Sequence, residues 1–327
     1  PYDEDSWDYD PLGELKDDNV YGRGATDMKG SVAAMMGVAR WFVETDTEPP
    51  VTLKFLFVSD EETGGNAGLK PILNQGLLKA NACLIGEPTC EEGHHSVTAA
   101  DRGSIWITLE STGKAAHGSR PVIGINAVDR LYDAVTDIRE TVEDITLEID
   151  PMIESFVEES IEYYKPIMGE EETRGLFYHP TVNLGVLRGG ETINTVPDSA
   201  TAKLDIRVTP GVHTPDILET VHGVVDKHER VRVSESSWSI GSYEKRDSEI
   251  VNKTRQTAEE VIGEKVHRRI ATGGGDAKKV RNAGIPTVEF AFGTDTAHAV
   301  NEYIPKRALV ANAKTYAVLP YALSPYR

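Results

Sequence analysis

Val51-Thr52-Leu53-Lys54-Phe55-Leu56-Phe57-Val58, followed by Ser59-Asp60-Glu61-Glu62-Thr63-Gly64-Gly65, is the stretch on which the fold turns. Its first eight residues are almost all apolar, β-branched or aromatic, which predicts a strand buried on both faces. Upstream, residues 31–43 read as a largely buried helix, punctuated by Pro49 and Pro50. Downstream, Ala82 to Ile85 reads as a second short strand. Such alternation predicts an α/β fold, a mostly parallel sheet with helices on both faces.

The pattern changes near Arg102-Gly103. Ser104 to Leu109 alternates as a half-exposed strand does. Asn126 opens a long helix with Ala127, Val128, Leu131, Ala134, Val135 and Ile138 at helical spacing. Thr181–Leu187, Thr201–Val208 and Val231–Val233 read as strands, and Thr214-Pro215 starts a helix with Thr214 as its cap. The domains expected are 1–102 for the first part of a catalytic domain, 103–238 for an inserted α+β domain, and 239–327 for the catalytic domain's second part. Within the latter, Ser248–Gly263 and the chain from Leu309 onward read as helices and Thr287–Phe292 as a strand. The glutamate-rich segment 150–178 patterns weakly and reads as a solvated helix and loop.

Ligands of open α/β sheets bind beyond the carboxyl ends of the strands. There the sequence places Asp60-Glu61-Glu62 after residue 58, Gly86-Glu87-Pro88-Thr89 after residue 85, and Gly293 through His298 after residue 292. Tyr21 through Gly30, with Asp27, precedes the first long helix. Several carboxylates at one rim repel one another, and a cation is the usual compensation. Oxygen and imidazole donors without thiolate suit zinc, cobalt or manganese. Taken singly, Asp60 to Glu62 would pass as a solvated loop and Asp27 as a helix cap.

Gly22-Arg23-Gly24-Ala25-Thr26-Asp27-Met28-Lys29-Gly30, Asp60 to Gly65, Gly86 to Thr89, Gly113 to Ser119, Gly189 to Pro197, Asp205-Ile206-Arg207 and Ala297 to Glu302 together resemble the zinc amidohydrolase family of acetylornithine deacetylase and succinyl-diaminopimelate desuccinylase. The resemblance runs in order along essentially the whole chain. It implies a phosphorylase/hydrolase-like catalytic domain carrying an inserted ferredoxin-like domain that serves as lid and dimerisation module. It implies hydrolysis of the amide bond of an N-acyl amino acid, or, within the same family, of a dipeptide or carboxypeptidase substrate. A catalytically degenerate binding protein on the same scaffold is the reading from another class.

The resemblance also implies roles. Asp27 bridges two divalent ions, most simply zinc, with Glu62 and His298 completing one site and Glu87 the other. Glu61 is the general base that takes a proton from the metal-bridging water and passes it to the leaving nitrogen. His117 steadies the oxyanion in a neighbouring subunit's site. Asn194 and Arg207 hold the substrate carboxylate, although Arg207 reads equally as a strand-surface ion pair. Gly274 belongs to a glycine-rich substrate-side loop, Gly273 to Ala277, where relatives often carry threonine at the position of Gly275. Members of the family also carry a His-x-Asp-x-x-Pro motif just ahead of a segment like Trp7 to Pro11. Pro1 reads as its tail, and Asp3, Glu4 and Asp5 lack the spacing to replace it. The chain is therefore expected to be N-terminally truncated, as a fragment or as a degenerate homologue, with one metal held firmly, the second weakly, and little activity.

The 327 residues carry 53 acidic against 34 basic side chains, a net charge of −19. This argues against nucleic acid and anionic membrane partners, which call for basic patches. It fits either a well-solvated surface or adaptation to high salt. The opening residues lack the positive and apolar regions of a signal peptide. With only Cys83 and Cys90, no disulfide framework is expected, and a cytoplasmic homodimer acting on a small molecule is. His94 and His95 read as exposed loop residues, and His179, His213, His222, His228 and His267 have no ligand-like context.

Overall fold

The computed structural model describes residues 2–3, 6–90 and 93–323. The readings made of Pro1, Glu4 and Asp5 lie outside the described residues.

In chain order, β1 (Glu14–Lys16) and β2 (Asn19–Tyr21) lead into α1 (Gly30–Glu44), α2 (Leu69–Asn74), β3 (Cys83–Ile85) and β4 (His95–Asp101). Then come β5 (Gly103–Thr112), β6 (Ala116–His117), α3 (Ala127–Glu143), α4 (Glu154–Met168), α5 (Glu170–Tyr178), β7 (Thr181–Gly189), β8 (Thr195–Val196), β9 (Ser199–Val208), α6 (Thr214–Val225) and β10 (Val231–Ser239). The chain closes with β11 (Ser242–Tyr243), α7 (Glu249–Ile262), β12 (Val266–Ala271), α8 (Asp276–Asn282), β13 (Thr287–Glu289), β14 (Tyr303–Pro305) and α9 (Lys306–Ala322).

These elements form two compact units, one of residues 1–100, 155–167 and 243–327, the other of 101–154 and 168–242. Where the sequence suggests an insertion over 103–238, the second unit runs 101–154 and 168–242, and the body of α4 groups with the first unit. In α4 the residues Phe156, Val157, Ser160, Ile161, Tyr163 and Tyr164 are buried. Segment 150–178 is therefore not the solvated helix and loop expected. Its apolar residues recur at helical spacing, and the glutamates between them mask the stripe. Arg268 locks the helix by donating from Nε to Glu159 at 2.8 Å.

The first unit is mixed α/β. Its main sheet runs β11-β4-β13-β3 with β12 against β4. β13 is parallel to β3 and antiparallel to β4. A three-stranded sheet, β1-β2-β14, lies at the start of α9. Residues 51–58 correct the opening expectation. They form no strand, and Phe55, Leu56, Phe57 and Val58 are exposed. An apolar run becomes a buried strand only where other strands flank it, and among the described residues none does. His95 is a second correction, buried at 4% exposure against the Phe292 ring instead of exposed.

The second unit is a four-stranded antiparallel sheet, β10-β5-β9-β7. Alternation along β5 and β9 places Ile105, Ile107, Leu109, Ala202, Leu204 and Ile206 in the core with Leu131, Ile138 and Val221 from α3 and α6. Asn126 caps α3 as read, its Oδ1 accepting from the amides of Val128 (2.9 Å) and Asp129 (3.3 Å). At α6 the cap is His213, not Thr214, which is already inside the helix.

Candidate metal centre

Three turns of the first unit bring acidic and imidazole groups together. Asp27 lies in the turn Ala25–Lys29 that feeds α1. Glu61 and Glu62 form a single turn, Glu61–Thr63, behind Asp60. Asp60 adopts φ 69° and ties the turn down by accepting from Thr63 Oγ1 and, at 2.8 Å, from the Ala67 amide. His298 also has a left-handed backbone, φ 63°, a conformation that β-carbon-bearing residues adopt at a cost and that clusters at functional sites.

Ligand-type atoms of Asp27, Glu62 and His298 all lie within 4.8 Å of one another. His298 Nε2 is 3.0 Å from Glu62 Oε1 and 3.3 Å from Asp27 Oδ2. Hydrogen bonding to Glu62 is the main reason the His298 imidazole is held above its usual range, with Asp27 adding to it. The Asp27 carboxyl is also raised, first by burial and then by Glu62, while its hydrogen bond with Glu87 opposes the shift. Glu87 is driven far upward by burial, Asp27, Glu289 and Glu61. Two carboxyls that share a hydrogen bond cannot both be ionised, so Glu87 keeps a proton that a divalent cation would displace. The donor set, carboxylate oxygen and imidazole nitrogen without sulfur, therefore fits such a cation.

Glu61 stands beside this cluster. Burial and then Asp276 push its carboxyl upward against the pull of Lys279. Lys279 donates to Asp276 at 2.6 Å. A β-carbon on Gly275 would stand 3.5 Å from Glu61 Oε1 and 3.6 Å from Glu289 Oε1, so the glycine leaves space between two carboxylates.

The other expected site residues belong to the second unit, apart from Gly274 on the exposed loop ahead of α8. His117 is exposed on β6, its Nδ1 2.8 Å from Ser119 Oγ. The Asn194 carbonyl accepts from the Gly118 amide at 2.6 Å. A hollow of about 490 Å³ opens there, lined by Gly118, Asn126, Gly190, Ile193 and Pro197 among others. Arg207 is held by Asp205, with Nε and Nη2 donating at 2.8 and 2.9 Å, which is the strand-surface ion pair of its plainer reading.

Glu302 has no assigned role in the sequence reading. It is fully buried and accepts four hydrogen bonds, from the Arg23 guanidinium and from the amides of Gly24, Thr26 and Asp27. Its place in the Ala297–Glu302 motif is visible in sequence, but the backbone amides it serves lie some 275 residues earlier.

Comparison with known proteins identifies the family. Residues 1–321 match the family described as "Peptidase family M20/M25/M40". A protein of Staphylococcus epidermidis named "Probable succinyl-diaminopimelate desuccinylase" is 30% identical, over 96% of this chain and 78% of its own length. The succinyl-diaminopimelate desuccinylase of Rickettsia massiliae is 29% identical, over 88% of this chain and 71% of its own. The M20 family metallo-carboxypeptidase Sso-CP2 from Sulfolobus solfataricus shares the fold with a TM-score of 0.79 at 21% identity, covering 97% of this chain and 82% of that one. Human carnosine dipeptidase 1 gives a TM-score of 0.75 at 19% identity, covering 99% and 77%. No helix among the described residues is long and apolar enough to cross a membrane. With the family matched along nearly its full length and the acidic turns converging on one imidazole, the chain belongs to the M20/M25/M40 peptidase family and is a metal-dependent hydrolase.

Proposed function

We propose that the chain hydrolyses the amide bond of an N-acyl amino acid of the succinyl-diaminopimelate or acetylornithine kind, as a cytoplasmic enzyme. The observation that carries this reading is the convergence of Asp27, Glu62 and His298 within 4.8 Å, joined to the desuccinylase names of its relatives. Asp27 would be common to two divalent ions, with Glu62 and His298 on one and Glu87 on the other; zinc suits these donors, as do cobalt and manganese. Such ions lower the pKa of water and polarise the scissile carbonyl. Glu61 is the general base. It accepts a proton from the attacking water and delivers it to the leaving nitrogen, and its raised carboxyl suits that exchange. The turn fixed by Asp60 keeps Glu61 beside Glu62 without making it a ligand.

The second unit, in this reading, is a ferredoxin-like lid and dimerisation module. His117 would steady the developing oxyanion in the partner's site, and Asn194, Arg207 and Gly274 would face the substrate. Arg207 would exchange Asp205 for the substrate carboxylate. Cleavage of dipeptides or C-terminal residues is the second reading, favoured by the carboxypeptidase and dipeptidase that share the fold.

A panel of N-succinyl, N-acetyl and dipeptide substrates, run with zinc or cobalt and again with chelator, tests both. Chelator-sensitive turnover of acyl amino acids supports the first reading and preference for dipeptides the second. Absence of metal-dependent turnover on every member overturns both.

A further inference from the structure

We propose that Glu302 is a positioning residue for the cation site, fixing Asp27 and His298 relative to each other through its buried carboxylate; this rests on the metal-dependent reading above. Glu302 has no solvent exposure, and a buried carboxylate is tolerated only when donors surround it. Oε2 accepts from the Gly24 amide and from Arg23 Nη1, each at 2.8 Å. Oε1 accepts from the amides of Thr26 and Asp27, each at 3.0 Å. One side chain thus satisfies three consecutive-turn amides, the last of which belongs to Asp27 itself. Charge-assisted bonds of this kind are about twice as strong as neutral ones.

The same residue reaches His298 by two routes. It is four residues along the chain, in a segment anchored by the Glu302 carbonyl accepting from the Gly22 amide at 2.9 Å. Arg23, held by the Glu302 carboxylate, also donates from Nη2 to the His298 carbonyl at 3.3 Å, and the Trp7 ring lies 5.2 Å from its guanidinium. The Asp27 turn and the His298 turn are therefore clamped by one acid–guanidinium pair that touches neither ligand's donor atoms. Partners of this sort set the orientation of metal ligands, and their loss costs about 10–100-fold in affinity or activity.

Glu302→Gln keeps the volume but turns one acceptor into a donor facing amide donors. Asn312→Ala is the matched control. Asn312 is also fully buried and joins distant segments, accepting from the Phe292 amide at 2.7 Å and donating to its carbonyl at 2.9 Å, without contact to Asp27 or His298. Apo protein is titrated with Co2+ well below each variant's melting temperature, reading the visible absorption of the bound ion and its dissociation constant. The expected result is affinity weakened about 10–100-fold in Glu302→Gln, an altered cobalt spectrum, and parent-like affinity and spectrum in Asn312→Ala. Parent-like binding in Glu302→Gln, or equal weakening in both variants, overturns the proposal. Failure of the parent chain itself to take up cobalt overturns the metal-dependent reading and the proposal with it, an outcome distinct from parent binding that Glu302→Gln leaves intact.

Discussion

His298 Nε2 stands 3.0 Å from Glu62 Oε1, a contact between turns 236 residues apart in the chain. Neither side chain is buried enough to be held there by packing, since both are more than half exposed. What recommends the contact is charge, and a divalent cation would be coordinated by the same two atoms.

Zinc should therefore stabilise the fold. A cation that binds only the native state contributes about 2.7 kcal/mol at a hundred times its dissociation constant. His298→Ala removes one of three clustered donors, so the zinc-dependent rise in melting temperature should shrink markedly. A rise identical to the parent's would show that the ion binds elsewhere.

Glu61→Gln should abolish proton transfer and leave the cation donors untouched. General acid–base catalysis contributes about 100- to 10,000-fold, so kcat should fall within that range while zinc affinity stays near the parent's. Unchanged kcat would remove Glu61 from the mechanism.

Gly68 supports the same turn from behind. A β-carbon added there would collide with the carbonyl of Ser59. Gly68→Ala should destabilise the chain by about 1–3 kcal/mol and lower zinc affinity by shifting Glu61 and Glu62. Denaturant melts indistinguishable from the parent's would contradict the tight packing seen there.

Acid should weaken the fold in part through His95. Burial holds its imidazole below the usual 6.5, outweighing the favourable Glu264 carboxylate 3.4 Å away, and Arg307 and His94 push in the same direction as burial. The unfolded chain then binds this proton more readily than the folded one. The contribution is complete above 6.5 and declines as pH falls through 6.5 and below. His95→Gln should show a shallower loss of melting temperature over that window, and a slope equal to the parent's would exclude His95 as its source.

Sequence patterns carried some elements and not others for identifiable reasons. The α3 stripe and the Asn126 cap are local features, and they appear where the periodicity places them. The β5 alternation likewise needs only neighbours two residues apart. Residues 51–58 have every local property of a buried strand, yet burial depends on neighbours that the run cannot specify. In α4 the glutamates dominate composition and hide a stripe of Phe156, Ser160, Tyr163 and Tyr164 at helical spacing. The acidic turns were legible as a group because each follows an apolar run or precedes a long helix. Glu302 was not, because its task is defined by amides far upstream, and no spacing rule connects the two.

Phe55-Leu56-Phe57-Val58 has a further consequence for handling the molecule. A proline-free apolar run that joins no sheet among the described residues is a template onto which another extended chain can add. Lys54, whose ammonium is tethered to the Lys79 carbonyl at 2.5 Å, stands immediately before the run and places a charge against fibrous growth. Concentrated stocks should cloud sooner when that lysine is neutralised, and a second charge introduced at Leu56 should keep them clear.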